Sequence, residues 1–139
     1  MRTQEYFPSQ TEHFYPSLFQ NLIEKKFEIR TFFLLDRFYS MAIFSQQKES
    51  TSIDFRNYDV KNPNRYVPFS IPKSIESKLK LFMKKLDLKT GSIDLIVTPN
   101  DEYVFLEVNP VGQFDFVSVN CNYYIEKEIA IALSKGISL

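Results

Sequence analysis

The chain has 139 residues, of which 44% are hydrophobic, including 14 Phe and 8 Tyr; this supports one compact domain with a real core and argues against disorder. Its 17 basic and 17 acidic residues balance, so overall charge does not indicate nucleic acid or an anionic membrane as a partner. Cys121 is the single cysteine and His13 the single histidine, which excludes an intramolecular disulfide and a conventional zinc site. No segment has the apolar length of a membrane span or the core of a signal peptide, and we expect a cytoplasmic protein.

The beginning of the chain is polar and rich in proline. Residues 1–17 contain two Pro and are expected to form a poorly ordered lead-in, followed by one folded unit over residues 18–139. Leu18 to Ile23 is a candidate short strand. Gln46 to Pro72 is polar and contains three Pro, so it is interpreted as a long loop with extended segments.

Between these stretches lies a predicted hairpin. Lys26 to Leu35 and Phe38 to Ser45 are apolar runs, and the Asp36-Arg37 dipeptide between them predicts a tight turn. Counting back from this turn gives two expected cross-strand pairs, Arg30 with Ile43 and Glu28 with Ser45.

The second half of the chain predicts two helices and a second hairpin. Ser74 is a candidate N-cap for a helix to about Leu88, because apolar residues recur at helical spacing after it. Tyr123 to Lys135 predicts a final helix, preceded by an irregular loop at Pro110 to Phe116. The element order indicates an α+β fold with a largely antiparallel sheet and helices packed on one side.

The second hairpin brings acidic residues together. Ile93 to Val97 and Tyr103 to Val108 flank a turn centred on Asn100-Asp101, and a symmetric turn would pair Thr98 with Tyr103. The same register places Asp94 opposite Glu107, and the period of two places Asn109 on the face of Glu107.

Two facing carboxylates repel each other, so such a pair beside a third oxygen ligand indicates a hard cation, magnesium or manganese. The alternative is that Asp94 and Glu107 are solvated residues on an outer face. The expected presence of Ile96 and Phe105 on the same face favours the cation, because acidic groups on a partly apolar face need partners.

These segments resemble a known family. Gly91-Ser-Ile-Asp-Leu-Ile-Val followed by Tyr103-Val-Phe-Leu-Glu-Val-Asn-Pro110 is similar to the magnesium-binding end of the ATP-grasp ligases. Phe19-Gln-Asn-Leu-Ile-Glu24 and Phe27-Glu-Ile-Arg-Thr31 resemble their hinge strand and the following strand, and Ile53-Asp-Phe-Arg56 resembles a further arginine-bearing segment.

Three further segments resemble one subgroup, the graspetide-type peptide maturases and in particular the "grasp-with-spasm" maturases. They are Asn62-Pro-Asn-Arg-Tyr-Val-Pro68, Asn109-Pro-Val-Gly-Gln-Phe114 and Cys121-Asn-Tyr-Tyr-Ile-Glu126. The resemblance covers about residues 15 to 135.

The resemblance implies a reaction and a set of cofactors. ATP would phosphorylate an Asp or Glu carboxylate of a ribosomal precursor peptide, and a side-chain hydroxyl or amine would displace the phosphate to close an ester or amide macrocycle. By the same resemblance, Asp94, Glu107 and Asn109 would hold one or two Mg²⁺ ions. Arg30 and Arg56 would bind the transferring phosphate or the acyl phosphate. The nucleotide would lie against Gln20, Asn21, Leu22, Ile23 and Glu24, with adenine on main-chain groups and Glu24 near the ribose.

Alternatives remain for both arginines. Arg30 lies in an aromatic-rich strand, where it could instead stack on aromatic rings and pair with Glu28. Arg56 follows Asp54 closely and could form an ordinary loop ion pair.

Complete ATP-grasp enzymes are about twice this length or more, and residues 1–17 do not replace their N-terminal domain or lysine-bearing lid. We therefore expect a C-terminal fragment of a peptide maturase, inactive alone, whose partners are the precursor peptide, the missing N-terminal half and a radical SAM/SPASM maturation protein. The alternatives are a non-catalytic precursor-peptide-binding module and an inactive truncated remnant.

Overall fold

The computed structural model describes residues 19–45 and 64–139. The elements in these residues are β1 (Phe27–Leu34), β2 (Arg37–Phe44), β3 (Arg65–Phe69), α1 (Lys73–Lys85), β4 (Thr90–Val97), β5 (Tyr103–Asn109), α2 (Asp115–Cys121) and α3 (Ile125–Ser134). None of these helices has the length and apolar character needed to cross a membrane. The predicted lead-in at residues 1–17 and most of the predicted long loop lie outside the described residues.

The strands form one five-stranded sheet in the order β3-β2-β1-β4-β5. Every neighbouring pair is antiparallel, and β1 lies at the centre between β2 and β4. This confirms the predicted α+β class and the antiparallel sheet. The edge strand β3 lies within the predicted long loop, at the position of one of its expected extended segments.

Helices cover both faces of the sheet, so the prediction of helices on one side is wrong. Ile29 and Phe33 of β1 pack in one core with α1, on what we call the α1 face. Phe32 and Leu34 alternate with them and pack in a second core with α2 and α3, on the α2/α3 face. The physical reason is the composition of β1, whose side chains are mostly buried on both of its faces and therefore need cover on both.

The β1–β2 turn determines the register of the first hairpin. Leu35 and Asp36 have φ angles of 47° and 69°, as in a two-residue turn that requires positive φ at both central positions. Arg37 is therefore the first residue of β2 and not a turn residue. The predicted register is wrong by two residues, since Arg30 pairs with Met41 and Glu28 with Ile43.

The helix boundaries also differ from prediction in detail. Helix α1 begins directly after Pro72, so Ser74 is not its N-cap. The region predicted as an irregular loop contains the start of α2, and the left-handed residues Asn122 and Tyr124 separate α2 from α3. Ser118 joins these two helices, because its hydroxyl accepts a hydrogen bond from the Ile125 N–H at 3.0 Å and donates one to Glu126 at 2.7 Å.

Candidate nucleotide and metal site

The second hairpin places Asp94 of β4 directly opposite Glu107 of β5, as predicted. The register next to the turn is shifted by one residue from the prediction, because Tyr103 pairs with Val97 and not with Thr98. A β-bulge between Asp94 and its neighbour compensates for this difference. The pairing passes from Leu95–Phe105 to Asp94–Glu107, so that Leu106 is an extra residue on β5.

The bulge decides which side chains share a face. Without it, continuation of the Leu95–Phe105 register would place Glu107 opposite Ile93, a fully buried residue of the α1 face. Phe105 itself lies on the α1 face, where its ring contacts that of Phe82 with a centroid separation of 5.1 Å. The prediction that Phe105 shares the face of the carboxylates is therefore wrong.

Arg30, Asp94 and Glu107 form a row across three adjacent strands on the α2/α3 face. The Arg30 Nε donates to Asp94 Oδ1 at 2.8 Å, and its Nη2 donates to Asp94 Oδ2 at 2.7 Å. The two side chains are only 13% and 14% exposed, respectively. This two-bonded geometry fixes both groups at the centre of the candidate site.

Glu28, the alternative partner predicted for Arg30, forms an ion pair with Lys25. The Glu28 and Lys25 side chains are 8% and 7% exposed, respectively. Glu28 lies two residues before Arg30, so both project to the α2/α3 face. Two basic and three acidic side chains are therefore gathered on this face: Lys25, Arg30, Glu28, Asp94 and Glu107.

Asn109 completes the predicted set of oxygen ligands. It pairs with Ser92 across the β4–β5 ladder and lies on the same face as Glu107. Its Oδ1 accepts a hydrogen bond from the Val111 N–H at 3.1 Å, which orients the carboxamide. A carbonyl oxygen has two lone pairs, so this hydrogen bond is compatible with a cation on the second.

The donor set fits a magnesium ion. Two carboxylates and one carboxamide oxygen belong to adjacent positions on one face, and directly opposite residues have Cβ atoms about 4.5–5.5 Å apart. Within residues 19–45 and 64–139, no group of three His, Cys, Asp or Glu residues could hold a metal. Protein ligands would therefore fill only part of the coordination shell. Magnesium normally keeps waters and phosphate oxygens in its remaining positions.

The predicted nucleotide-binding segment precedes β1. Gln20, Asn21, Leu22 and Glu24 are exposed and Ile23 is half-buried. Residues 19–25 form neither helix nor strand, so the strand predicted from Leu18 is wrong over its described part. The end of the segment is attached to the sheet, because the Lys26 N–H donates to the Val97 carbonyl at 2.7 Å.

The second predicted phosphate-binding residue, Arg56, lies outside the described residues, and its role stays a prediction. Sequence reasoning missed Ser92, which is buried on the α2/α3 face two residues before Asp94. The sequence pattern does indicate this position, because the strand period of two places Ser92 and Asp94 on one face. Cys121 is buried, as expected, and burial raises the pKa of its thiol.

The chain is similar to several solved structures of peptide-modifying ligases and macrocyclases. No family model and no curated protein matches the chain. A Chryseobacterium gregarium RiPP-associated ATP-grasp ligase, solved with ADP and a leader and core peptide, is 32% identical with a TM-score of 0.77; the match covers 86% of this chain and 36% of that chain. The macrocyclase MdnC of Microcystis aeruginosa MRC, bound to the precursor peptide MdnA, is 36% identical with a TM-score of 0.67. That match covers 82% of this chain and 34% of MdnC.

A third match shows the fold alone. The ATP-grasp ligase PsnB, complexed with a variant of its minimal precursor, Mg and ADP, is 20% identical with a TM-score of 0.66. That match covers 84% of this chain and 34% of PsnB, so this chain spans about a third of the length of the structures it matches. The predicted resemblance is confirmed: in fold and in sequence, this chain is similar to about a third of a RiPP-associated ATP-grasp ligase.

Proposed function

We propose that this chain supplies the cation-binding and arginine-bearing part of a graspetide-type peptide ligase. The complete enzyme would use Mg-ATP to convert an Asp or Glu carboxylate of a precursor peptide into an acyl phosphate. A side-chain hydroxyl or amine of the peptide would then form the ester or amide of a macrocycle. The observation that supports this proposal most directly is the row of Arg30, Asp94 and Glu107 on one face, with Asn109 beside it.

Each residue in this cluster has a role that its chemistry suits. Asp94, Glu107 and Asn109 would hold one or two Mg²⁺ ions through oxygen atoms. When bound, the ion would neutralise charge on the phosphate oxygens, which is the main requirement of phosphoryl transfer. Arg30 keeps Asp94 in a fixed orientation by two hydrogen bonds and retains its positive charge at any physiological pH. That fixed charge would lie beside the transferring phosphate.

The remaining roles follow from the resemblance to the ATP-grasp ligases. Arg56 would bind the acyl phosphate together with Arg30. The nucleotide base would rest on main-chain groups of Asn21 to Ile23, because exposed backbone outside a sheet ladder can offer donors and acceptors. Glu24 would bind the ribose, and Gln20 belongs to the same segment.

Other parts of the nucleotide cleft would come from the two thirds of the ligase that this chain does not span. We propose that those parts act together with this chain and that the chain alone does not ligate peptides at a useful rate, because an open cleft does not position the nucleotide. The proposed partners are a ribosomal precursor peptide and, by resemblance to the grasp-with-spasm maturases, a radical SAM/SPASM protein. The proposed compartment is the cytoplasm.

The test is reconstitution of the reaction. This chain would be combined with the complementary two thirds of a related ligase, Mg-ATP and the precursor peptide of that ligase. The expected result is loss of one water per ring from the peptide, measured by mass spectrometry. Asp94→Asn and Glu107→Gln should abolish the loss of water while leaving the fold intact by circular dichroism.

Two outcomes would contradict the proposal. Ligation at the wild-type rate in both variants would remove the metal role of the carboxylates. Peptide binding that is equal with and without nucleotide, together with no loss of water, would indicate a non-catalytic peptide-binding module.

A further inference from the structure

Ser92 occupies a special position relative to the candidate metal site. It is the register partner of Asn109 on β5 and of Phe32 on β1, and it lies two residues before Asp94 on the same face. Ser92 and Asp94 on β4 therefore face Asn109 and Glu107 on β5. These four residues form a block of oxygen-bearing side chains, of which three are already assigned to the cation.

The loop after β5 helps to enclose Ser92. Gly112 packs tightly over this part of the sheet, since a Cβ atom there would meet the Phe32 ring at 2.7 Å and Gly91 Cα at 3.5 Å. Phe114 follows and contacts the same ring, with a centroid separation of 5.6 Å. Ser92, the register partner of Phe32, is only 3% exposed.

The Ser92 hydroxyl is buried and has no hydrogen-bond partner among residues 19–45 and 64–139. A buried hydroxyl in this state destabilises the fold, because its hydrogen bonds to water are lost and not replaced. The neighbouring residues of β4 are almost all buried, and an Ala would fill this position with no such cost. The hydroxyl is therefore explained better by a partner that forms when the site is occupied than by packing.

We propose that Ser92 is a positioning residue for Asn109, an inference that rests on the proposed function of the site. The Asn109 Oδ1 is oriented by the Val111 N–H, which leaves its amide nitrogen at the opposite end of the planar group. Directly opposite residues in a ladder are close enough for their side chains to bond after a rotamer change. When Oδ1 binds the cation, the Asn109 amide N–H donates to the Ser92 hydroxyl and fixes the ligand against rotation.

The experiment measures cation affinity and stability separately. Binding of Mn²⁺ to the full chain would be followed by electron paramagnetic resonance, and the Tm would be measured in EDTA. We expect Ser92→Ala to weaken Mn²⁺ binding roughly three- to tenfold, the effect of losing one hydrogen bond. The Tm without cation should stay equal or rise, because the hydroxyl has no partner in that state. Ser77→Ala is the matched control, since its exposed hydroxyl donates to the local Lys73 carbonyl of α1, and it should leave Mn²⁺ affinity unchanged.

A double-mutant cycle distinguishes positioning from direct ligation. Once Asn109→Ala has removed the positioned group, adding Ser92→Ala should have no further effect on Mn²⁺ affinity. A further loss of affinity would overturn the positioning role, as would an unchanged affinity in Ser92→Ala alone or a lowered Tm in EDTA.

Glu107→Gln separates this inference from the proposed function. If Glu107→Gln abolishes Mn²⁺ binding and Ser92→Ala does not weaken it, the inference about Ser92 fails while the metal site stands. If Glu107→Gln binds Mn²⁺ as the wild type does, or the wild type binds none, the metal site itself is wrong and the inference fails with it.

Discussion

The Arg30 guanidinium binds both carboxylate oxygens of Asp94 across the junction of β1 and β4, at 2.8 and 2.7 Å. Two strands and a helix (β2, β3 and α1) lie between them in the described part of the sequence, but β1 and β4 are neighbours in the sheet. The pair thus connects the proposed phosphate-binding residue directly to a proposed metal ligand. Since both side chains are largely buried, either charge alone would be poorly solvated.

This pair gives the first prediction. Arg30→Met removes the partner of a largely buried carboxylate, so we expect it to lower the free energy of unfolding by about 2–4 kcal/mol at neutral pH. Urea unfolding followed by circular dichroism measures the change. The double variant Arg30→Met/Asp94→Asn should recover part of the loss, because the uncompensated charge is gone. Equal losses in the single and double variants would show that the ion pair does not carry the effect.

The second prediction concerns the bulge on β5. Deletion of Leu106 removes the extra residue, so the regular Leu95–Phe105 register then pairs Glu107 with Asp94 on the α2/α3 face, and we expect Mn²⁺ binding to be retained. Leu106→Ala keeps the bulge and should also bind Mn²⁺ as the wild type does. Isothermal titration of both variants, with circular dichroism to verify folding, measures their affinities. Loss of Mn²⁺ binding in a folded deletion variant would contradict a bulge whose role at the site is to bring Glu107 into register with Asp94.

The third prediction compares two glycines. Gly112 and Gly136 both have positive φ, at 59° and 72°, but only Gly112 lacks space for a Cβ. Gly136→Ala should therefore cost only the left-handed backbone penalty, about 1 kcal/mol, whereas Gly112→Ala should cost about 2–4 kcal/mol because Phe32 must also move. Thermal and urea unfolding give both values. Equal costs would contradict the close packing of the loop on Phe32.

The fourth prediction concerns pH. The hydrogen bond from the Ser118 hydroxyl lowers the pKa of Glu126 below its ordinary value. A carboxyl with a lowered pKa in the folded state stabilises the fold above its unfolded pKa, and this contribution is lost as pH falls through the folded value. Glu126→Gln should therefore destabilise the chain at pH 7 and have a smaller effect at acidic pH. Urea unfolding at several pH values measures it, and an effect independent of pH would argue against the linkage.

Ser118→Ala is the companion variant for that experiment. It should return the pKa of Glu126 toward its ordinary value, measured by carbon NMR of the carboxyl. It should also destabilise the chain by about 1–3 kcal/mol, because the Ile125 N–H loses its acceptor in a buried position.

The sequence predicted the Asp94–Glu107 pair although its turn geometry was wrong. The strand period and the turn-forming residues Asn100 and Asp101 were enough to identify the hairpin. The start of the ladder is shifted by one residue, and the bulge at Leu106 reverses the shift. A bulge depends on packing against both faces, which a local pattern does not contain. The prediction was thus correct for the pair and wrong for Phe105.

Long-range pairing explains the other differences. That Arg30 lies in a strand follows from its aromatic neighbours, but its contact with Asp94 requires β1 and β4 to be adjacent. Nothing in either local segment specifies that adjacency. Helix α2 has only seven residues, and its buried Val117 and Cys121 stabilise it against the sheet. Helices this short depend on tertiary contacts, so their sequence signal is weak.

Strand β5 is an edge strand of the five-stranded sheet, so the bulge within it also affects how that edge can pair with other chains. A regular terminal strand offers an unbroken row of backbone donors and acceptors to which a foreign strand can attach, a common origin of aggregation. The extra residue at Leu106 breaks that row and bends the strand at the same position that orients the carboxylate of Glu107. Deleting Leu106 would therefore restore an unbroken terminal strand and lower the colloidal stability of the molecule, even though Glu107 would still face Asp94.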